Sequence, residues 1–324
     1  MRIIVSGFAC TVAAFFAGSA LAQTAASFPA KPLRIIVPYP PGGTSDILSR
    51  LIGAKVTENW GQTVIVDNRT GANGNIGAEF VARSPADGYT YLLTDIGNLS
   101  IAPNVYKLPF DILRDFAPAT TVSYSPHLLT THPSVPVKTT RDLIALAKAN
   151  PGKLNFPTGL GGAPHFAGML FAQRTGISWT YIGTRGGADS SRMVMSGEGD
   201  MFFLGMLQTI SHVKNGRLKL IAVSSEKRIP SLPDTPTVGE GPGLAGFVTG
   251  SWQGVVAPAR VSPEILAKFN AELARVLALP DIIEKLRSQG TEPIANSPDA
   301  TGKWMTAETQ RYARLVKETK FKLD

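Results

Sequence analysis

The chain alternates between short apolar runs and longer stretches in which apolar residues recur every third or fourth position. The first run, residues 33–37 (Leu-Arg-Ile-Ile-Val), has the short β-branched character of a buried strand. After a turn rich in proline and glycine, Ile47, Leu48, Leu51, Ile52 and Val56 fall on one face of a helix. Further strands are predicted at 63–67, 89–94, 153–156 and 218–224, with a returning strand at 247–257. Helices are predicted up to about Arg83, from Thr139 to the Pro151-Gly152 stop, at 165–174 and 189–196, and then at 263–278, 280–289 and 301–320. Residues 116–131 read as one extended stretch punctuated by proline. This alternation predicts an α/β fold with a largely parallel sheet, whose ligands sit beyond the carboxyl ends of the strands.

Two of the strand-to-helix connections are glycine loops. Val37-Pro-Tyr-Pro-Pro-Gly-Gly-Thr-Ser-Asp46 opens the first helix, with Thr44 or Ser45 as the expected N-cap and Asp46 in the first turn. Thr158-Gly-Leu-Gly-Gly-Ala-Pro-His165 opens another, far along the chain. A helix start leaves backbone N–H groups unpaired and carries a positive partial charge, so a glycine loop in front of it can receive a carboxylate or phosphate. The first loop alone reads equally well as an ordinary turn. Two such units suggest two lobes, each offering a helix N-terminus to a shared ligand.

The first 22 residues stand apart from this pattern. Met1-Arg2 is a basic start, residues 3–21 are almost wholly apolar or small, and Ala20-Leu21-Ala22 is a cleavage site. Residues 1–22 therefore read as a secretory signal peptide cut after Ala22, which predicts an exported mature protein. No later stretch reaches the roughly 18 consecutive apolar residues that span a bilayer. Cys10, the only cysteine, lies in the signal, so the mature chain has no disulfide, thiol nucleophile or thiolate metal site. Loss of Arg2 takes the net charge from +8 to +7. The basic residues are spread singly, which argues against a nucleic-acid partner.

A catalytic constellation is missing from the sequence. There is no G-x-S-x-G elbow, and Ser211-His-Val-Lys214 lacks the companion motifs of an S-x-x-K site. The first glycine loop has no P-loop lysine, and Pro164 stands where a dinucleotide fingerprint begun at Gly159-Leu-Gly161 needs its third glycine. His127, His132, His165 and His212 show no metal-ligand spacing and read as structural or surface residues. His165 could brace the second glycine loop or face a ligand, and bracing is the favoured reading. No catalytic residue, metal site or cofactor is predicted.

Several patterns together carry a family resemblance over nearly the whole mature chain. They are Val37 to Asp46; Asp67-Asn-Arg-Thr-Gly-Ala-Asn-Gly-Asn-Ile-Gly77; Asp87-Gly-Tyr-Thr90; the second glycine loop with Ala167-Gly168; Gly197-Glu-Gly-Asp200; Leu232-Pro-Asp-Thr-Pro-Thr237; and Trp252-Gln-Gly-Val-Val-Ala-Pro258. In this order they resemble the periplasmic solute-binding subunits of tripartite tricarboxylate transporters, the Bug family. The resemblance implies a two-lobed, hinge-closing periplasmic binding protein fold of type II. Residues 23–124 plus 250–324 would form one lobe and 125–249 the other, joined by two crossing strands. It also implies a monomer that holds a small carboxylate between the glycine loops, partly through ordered water, and delivers it to membrane transporter subunits. The matching positions are Tyr39, Gly43, Thr44 and Asp46 in the first loop, and Thr158, Gly161, Ala163 and His165 in the second, with Pro41 and Gly162 beside them as further candidate ligand contacts.

The sequence departs from the family pattern at three places. Gly162 replaces a usual serine or threonine, which puts a hydroxyl contact in doubt. Tyr181-Ile-Gly183 replaces tyrosine, lysine, glycine, and Arg185-Gly186-Gly-Ala188 follows where a proline often precedes the alanine. Leu204 stands after Phe203 where an aspartate is frequent. Loss of that acid removes a partner for a ligand amino group, Phe203 and Leu204 make the pocket more apolar, and Arg185 offers a fork for a second carboxylate. These changes favour an unaminated dicarboxylate, aliphatic or aromatic. An equally weighted reading turns Arg185 to solvent and Leu204 into the core. A sensor subunit using the same ligand, and an exported enzyme using the same cleft, are the rival functions.

Overall fold

The computed structural model describes residues 28–319 and 321, and the signal peptide expected at 1–22 lies outside the described residues. The chain begins with β1 (Leu33–Val37), α1 (Thr44–Trp60), β2 (Val64–Asn68), α2 (Asn75–Ala82) and β3 (Thr90–Asp95). A π-helical turn (Gly97–Ile101) and α3 (Ala102–Val105) lead to the long strand β4 (Phe116–Thr131). Next come α4 (Thr140–Ala149), β5 (Asn155–Thr158), α5 (Ala163–Thr175), β6 (Thr180–Gly183), α6 (Gly187–Met195), β7 (Met201–Gly205), α7 (Met206–Lys214) and β8 (Lys219–Val223). The chain returns through β9 (Gly250–Pro258) and ends with α8 (Pro263–Leu277), α9 (Pro280–Arg287), β10 (Glu292–Pro293) and α10 (Pro298–Thr319).

β1 lies between β2 and β3 and is parallel to both, and β9 joins β3 to β4 in antiparallel register. Side chains of β1 alternate between two cores, as the pleat requires. Leu33, Ile35 and Val37 pack with Leu48, Ile52 and Val56 of α1 and Phe269 of α8. Ile36 packs on the other face with Val81 of α2 and Met305 of α10. A separate aromatic core, built on Phe156, Phe171, Trp179, Phe203 and Phe247, fills the second lobe.

β4 is shared by the two lobes. Its residues 116–126 pair with β9, and residues 127–131 pair with β7 and β8. We propose lobe boundaries at 124/125 and 249/250, which this change of partner supports. The two lobes touch across the cleft: Tyr106 donates to the Leu160 carbonyl at 2.5 Å, and Phe166 of α5 packs edge-on against Tyr312 of α10 at 5.6 Å. The main sheet is mixed, not largely parallel as expected, because every pairing of β4 and β9 is antiparallel, and individual elements differ from the sequence expectation as well. The strand predicted at 153–156 is displaced to β5, α5 starts before His165, and α7 follows β7 directly without a turn signal beyond Gly205.

Candidate ligand-binding site

Four helices start at one place. α1, α5, α6 and α7 have Gly43, Gly162, Gly186 and Gly205 as their N-caps, and none of these caps makes a side-chain hydrogen bond. All four glycines line a single cavity of about 60 Å³ between the lobes. Of the helices that start elsewhere, α4 is capped by the Thr139 capping box and α8 by Ser262, whereas α2 and α9, with Gly74 and Leu279 at the N-cap, also lack a side-chain cap. A serine, threonine or aspartate cap would consume a first-turn N–H, whereas glycine leaves it to face the cavity. The expectation that Thr44 or Ser45 caps α1 is therefore corrected. Both sit inside the first turn, and the Ser45 hydroxyl donates to Gln253 Oε1 at 2.7 Å instead.

The cavity has a positive backbone field and no lysine or arginine in its lining. Its ionisable side chains are Tyr39, Asp95 and His127. Asp95 accepts from the Tyr39 hydroxyl at 2.8 Å and from the Gly97 N–H at 2.8 Å. Burial pushes its carboxyl above the usual range, while the Tyr39 hydroxyl pulls the other way. Burial also holds His127 neutral, with its pKa pushed down to about 3.

Several buried polar atoms at this site lack a protein partner. Asn73 sits in the loop before α2 at a left-handed φ of 50°, held there by the Asn98 amide, which donates to its carbonyl at 3.1 Å. Its side chain reaches the second glycine loop, where a Cβ on Gly159 would meet Asn73 Oδ1 at 2.6 Å. Asn73 Nδ2, His127 Nε2 and Ser251 Oγ are buried without a hydrogen-bond partner among the described residues. Each orphan costs stability unless a ligand or ordered water completes it. Their convergence from the α2 loop, β4 and β9 marks the cavity as a place for a polar guest.

Of the residues singled out from sequence, Tyr39, Gly43, Thr44, Gly162, Gly186 and Leu204 line this cavity. Asp46 stands behind the first loop, accepting from the Gly42 N–H at 3.0 Å and pairing with Arg50. His165 is buried and accepts from the Gly161 N–H at Nδ1, 2.9 Å away, so it braces the loop. Burial lowers its pKa to about 4, and an accepting Nδ1 puts the proton of the neutral ring on Nε2. Thr158 is buried, and Pro41, Gly161, Ala163 and Ala188 lie outside the lining.

Two sequence readings need correction. Phe203 packs in the aromatic core of the second lobe and does not line the cavity, whereas Leu204 belongs to the same core, as the alternative reading had it, and also lines the cavity. Arg185 does not line the cavity; its exposed guanidinium pairs with Asp189 one helical turn on, at 2.5 Å. The sequence reading did not single out Asn73, Asp95, Gln208, Ser251 and Gln253, and it took His127 as structural. Asn73 at least stood inside the glycine-rich motif of residues 67–77, whereas His127 stood in a strand rich in threonine and serine, where nothing marked it.

A comparison with known proteins gives this geometry a context. The family model described as the tripartite tricarboxylate transporter family receptor matches residues 48–321. Among solved structures, R. palustris Rpa4515 with adipate is 33% identical and superposes with a TM-score of 0.87, covering 90% of this chain and 98% of that one. The periplasmic binding protein BugD is 30% identical with a TM-score of 0.87, over 91% and 99% of the two chains. MatC (Rpa3494) from Rhodopseudomonas palustris with bound malate is 26% identical with a TM-score of 0.84, over 89% and 100%. With the family model spanning most of its length and a fold shared with the Bug-named relative BugD, this chain belongs to the tripartite tricarboxylate transporter family of solute-binding receptors.

Proposed function

We propose that the protein is a monomeric periplasmic receptor that captures a small carboxylate, with dicarboxylates preferred, and delivers it to membrane transporter subunits. The observation that carries this reading is the convergence of four glycine-capped helix ends on one cavity without a cationic side chain. α1 belongs to the first lobe and the other three to the second, so a ligand with a carboxylate at each end links the lobes and favours closure. Three or four charge-assisted hydrogen bonds at roughly 1.5–3 kcal/mol each, plus up to about 2 kcal/mol from favourably placed helix ends, give a gross term near 10 kcal/mol. Association and ordering remove several kcal/mol of this. Apolar contacts such as Leu204 then bring the net value toward the roughly 8 kcal/mol of micromolar binding. The relatives solved with adipate and malate agree in ligand class.

A binder rather than a catalyst also fits the cavity. His127 Nε2 and Ser251 Oγ each lack a partner, so the serine and the histidine of the cavity do not form a nucleophile and base pair. A thermal-shift screen of the ligand-stripped protein against mono-, di- and tricarboxylates, with matched amino acids and phosphates, tests the reading. A ligand at a hundred times its Kd stabilises by about 2.7 kcal/mol, which moves Tm by a few degrees. The expected result is a shift confined to one carboxylate class, with the compound recovered unchanged. No shift with any carboxylate, or a hit that is consumed, would overturn the proposal.

A further inference from the structure

Gln208, the third residue of α7, reaches from the second lobe to the first. Its Oε1 accepts a hydrogen bond at 3.2 Å from the N–H of Thr44, the first residue of α1. The same amide lies against the start of α6. A Cβ on Gly187 would meet Nε2 at 2.4 Å and Oε1 at 2.8 Å. Gly187 has no positive φ, so a side chain there would be opposed by this movable amide and not by backbone strain. A Cβ on Gly43 would stand 3.6 Å from Oε1. Two bare helix ends, one from each lobe, thus bracket a neutral carbonyl oxygen.

An oxygen at a first-turn N–H is where a helix end holds a carboxylate. At 3.2 Å the Gln208 bond is at the long end of the N–H···O range, whereas charge-assisted bonds are shorter and stronger. A carboxylate oxygen would therefore outcompete the amide for the same donor. Resting on the reading of the cavity as a carboxylate site, we propose that Gln208 is a specificity-determining residue. It holds the α1 anion position with its own amide oxygen until a ligand carboxylate replaces it. Two consequences follow from its place between the lobes. The ligand-free protein is held together partly by the Gln208 to Thr44 bond. A dicarboxylate must displace this bond, whereas a monocarboxylate seated on the helix ends of the second lobe leaves it in place.

The test uses the full mature chain with Gln208→Ala and the near-isosteric Gln208→Glu. Calorimetry compares succinate with butyrate, a pair of equal chain length, and small-angle scattering gives the radius of gyration without ligand. In Gln208→Ala, succinate should bind about tenfold tighter and butyrate within about twofold of wild type. The ligand-free Gln208→Ala protein should have a larger radius. Gln208→Glu puts a fixed anion at α1, so succinate should weaken at least about tenfold while the ligand-free protein stays compact. An unchanged preference and radius in Gln208→Ala would overturn the proposal, as would weaker succinate binding, which would make Gln208 a ligand contact. If wild type binds neither acid, the best di- and monocarboxylate of the thermal-shift screen take their place, and a screen with no carboxylate hit overturns the carboxylate reading. The ligand-free radius then decides the role of Gln208 alone: an increase in Gln208→Ala supports the link between lobes, and no change overturns it.

Discussion

Replacing Gly43 with asparagine puts a capping side chain at the start of α1, where the backbone already accepts one. Gly43 has φ −77° and ψ 167°, ordinary N-cap values, and a Cβ there would stand 3.6 Å from both Gln208 Oε1 and the Pro40 carbonyl. An asparagine cap is worth a few tenths of a kcal/mol over glycine, so the ligand-free protein should be slightly more stable. The same cap takes a first-turn N–H that would otherwise face the ligand. Losing one charge-assisted bond of roughly 1.5–3 kcal/mol lowers carboxylate affinity about ten- to hundredfold. Gly43→Asp adds a like charge. At about 6 Å and an effective dielectric constant near 20, repulsion contributes roughly 3 kcal/mol more, or about another hundredfold at low salt. Calorimetry with the best ligand, alongside Tm of the ligand-free variants, separates the two effects. Unchanged affinity in both variants, or Tm and affinity falling together, would refute the role assigned to the bare helix end.

Two further results are expected. In the unfolded chain His127 and His165 take up protons near pH 6.5, but in the folded protein burial delays this to about 3 and about 4. Their contribution to stability is therefore whole above pH 6.5 and is lost as pH falls toward the folded values. Each should account for about 2 kcal/mol of the loss between pH 7 and pH 5 in urea unfolding, and His127→Gln should flatten that slope. Arg185→Ala should change dicarboxylate affinity by less than about twofold and stability by under about 1 kcal/mol, because its pair with Asp189 is exposed. A loss confined to dicarboxylates would restore Arg185 as a ligand group.

The strand, glycine loop and helix units were legible because a β-branched run followed by a glycine doublet and a 3.6-residue apolar stripe is a local signal. The cap of α1 was not legible. Thr44 and Ser45 have the right propensity, and only the tertiary partner Gln253 shows what Ser45 does instead. The start of α7, and Gln208 with it, was hidden because β7 passes into the helix with Gly205 as its sole punctuation. Asn73, Asp95, His127 and the β9 pair Ser251 and Gln253 come together from four separate parts of the chain, and no spacing along it records that meeting. Phe203 and Leu204 point to opposite faces of β7 by the period of two, but which face also meets the cavity depends on the packing around the strand. Arg185 carried its own warning, since Asp189 four residues on is a ready helical partner.

The most direct measurement is a crystal structure of the mature protein with the carboxylate that shifts its Tm most. The expected map shows one carboxylate within hydrogen-bonding distance of the first-turn N–H groups of α1, with the Gln208 amide displaced from Thr44. The other end of the ligand should lie on the helix starts of α5, α6 or α7, close to Asn73 and His127. A carboxylate held mainly by Arg185 or another cation, with the four glycine-capped ends left to water, would contradict the assignment of this cavity.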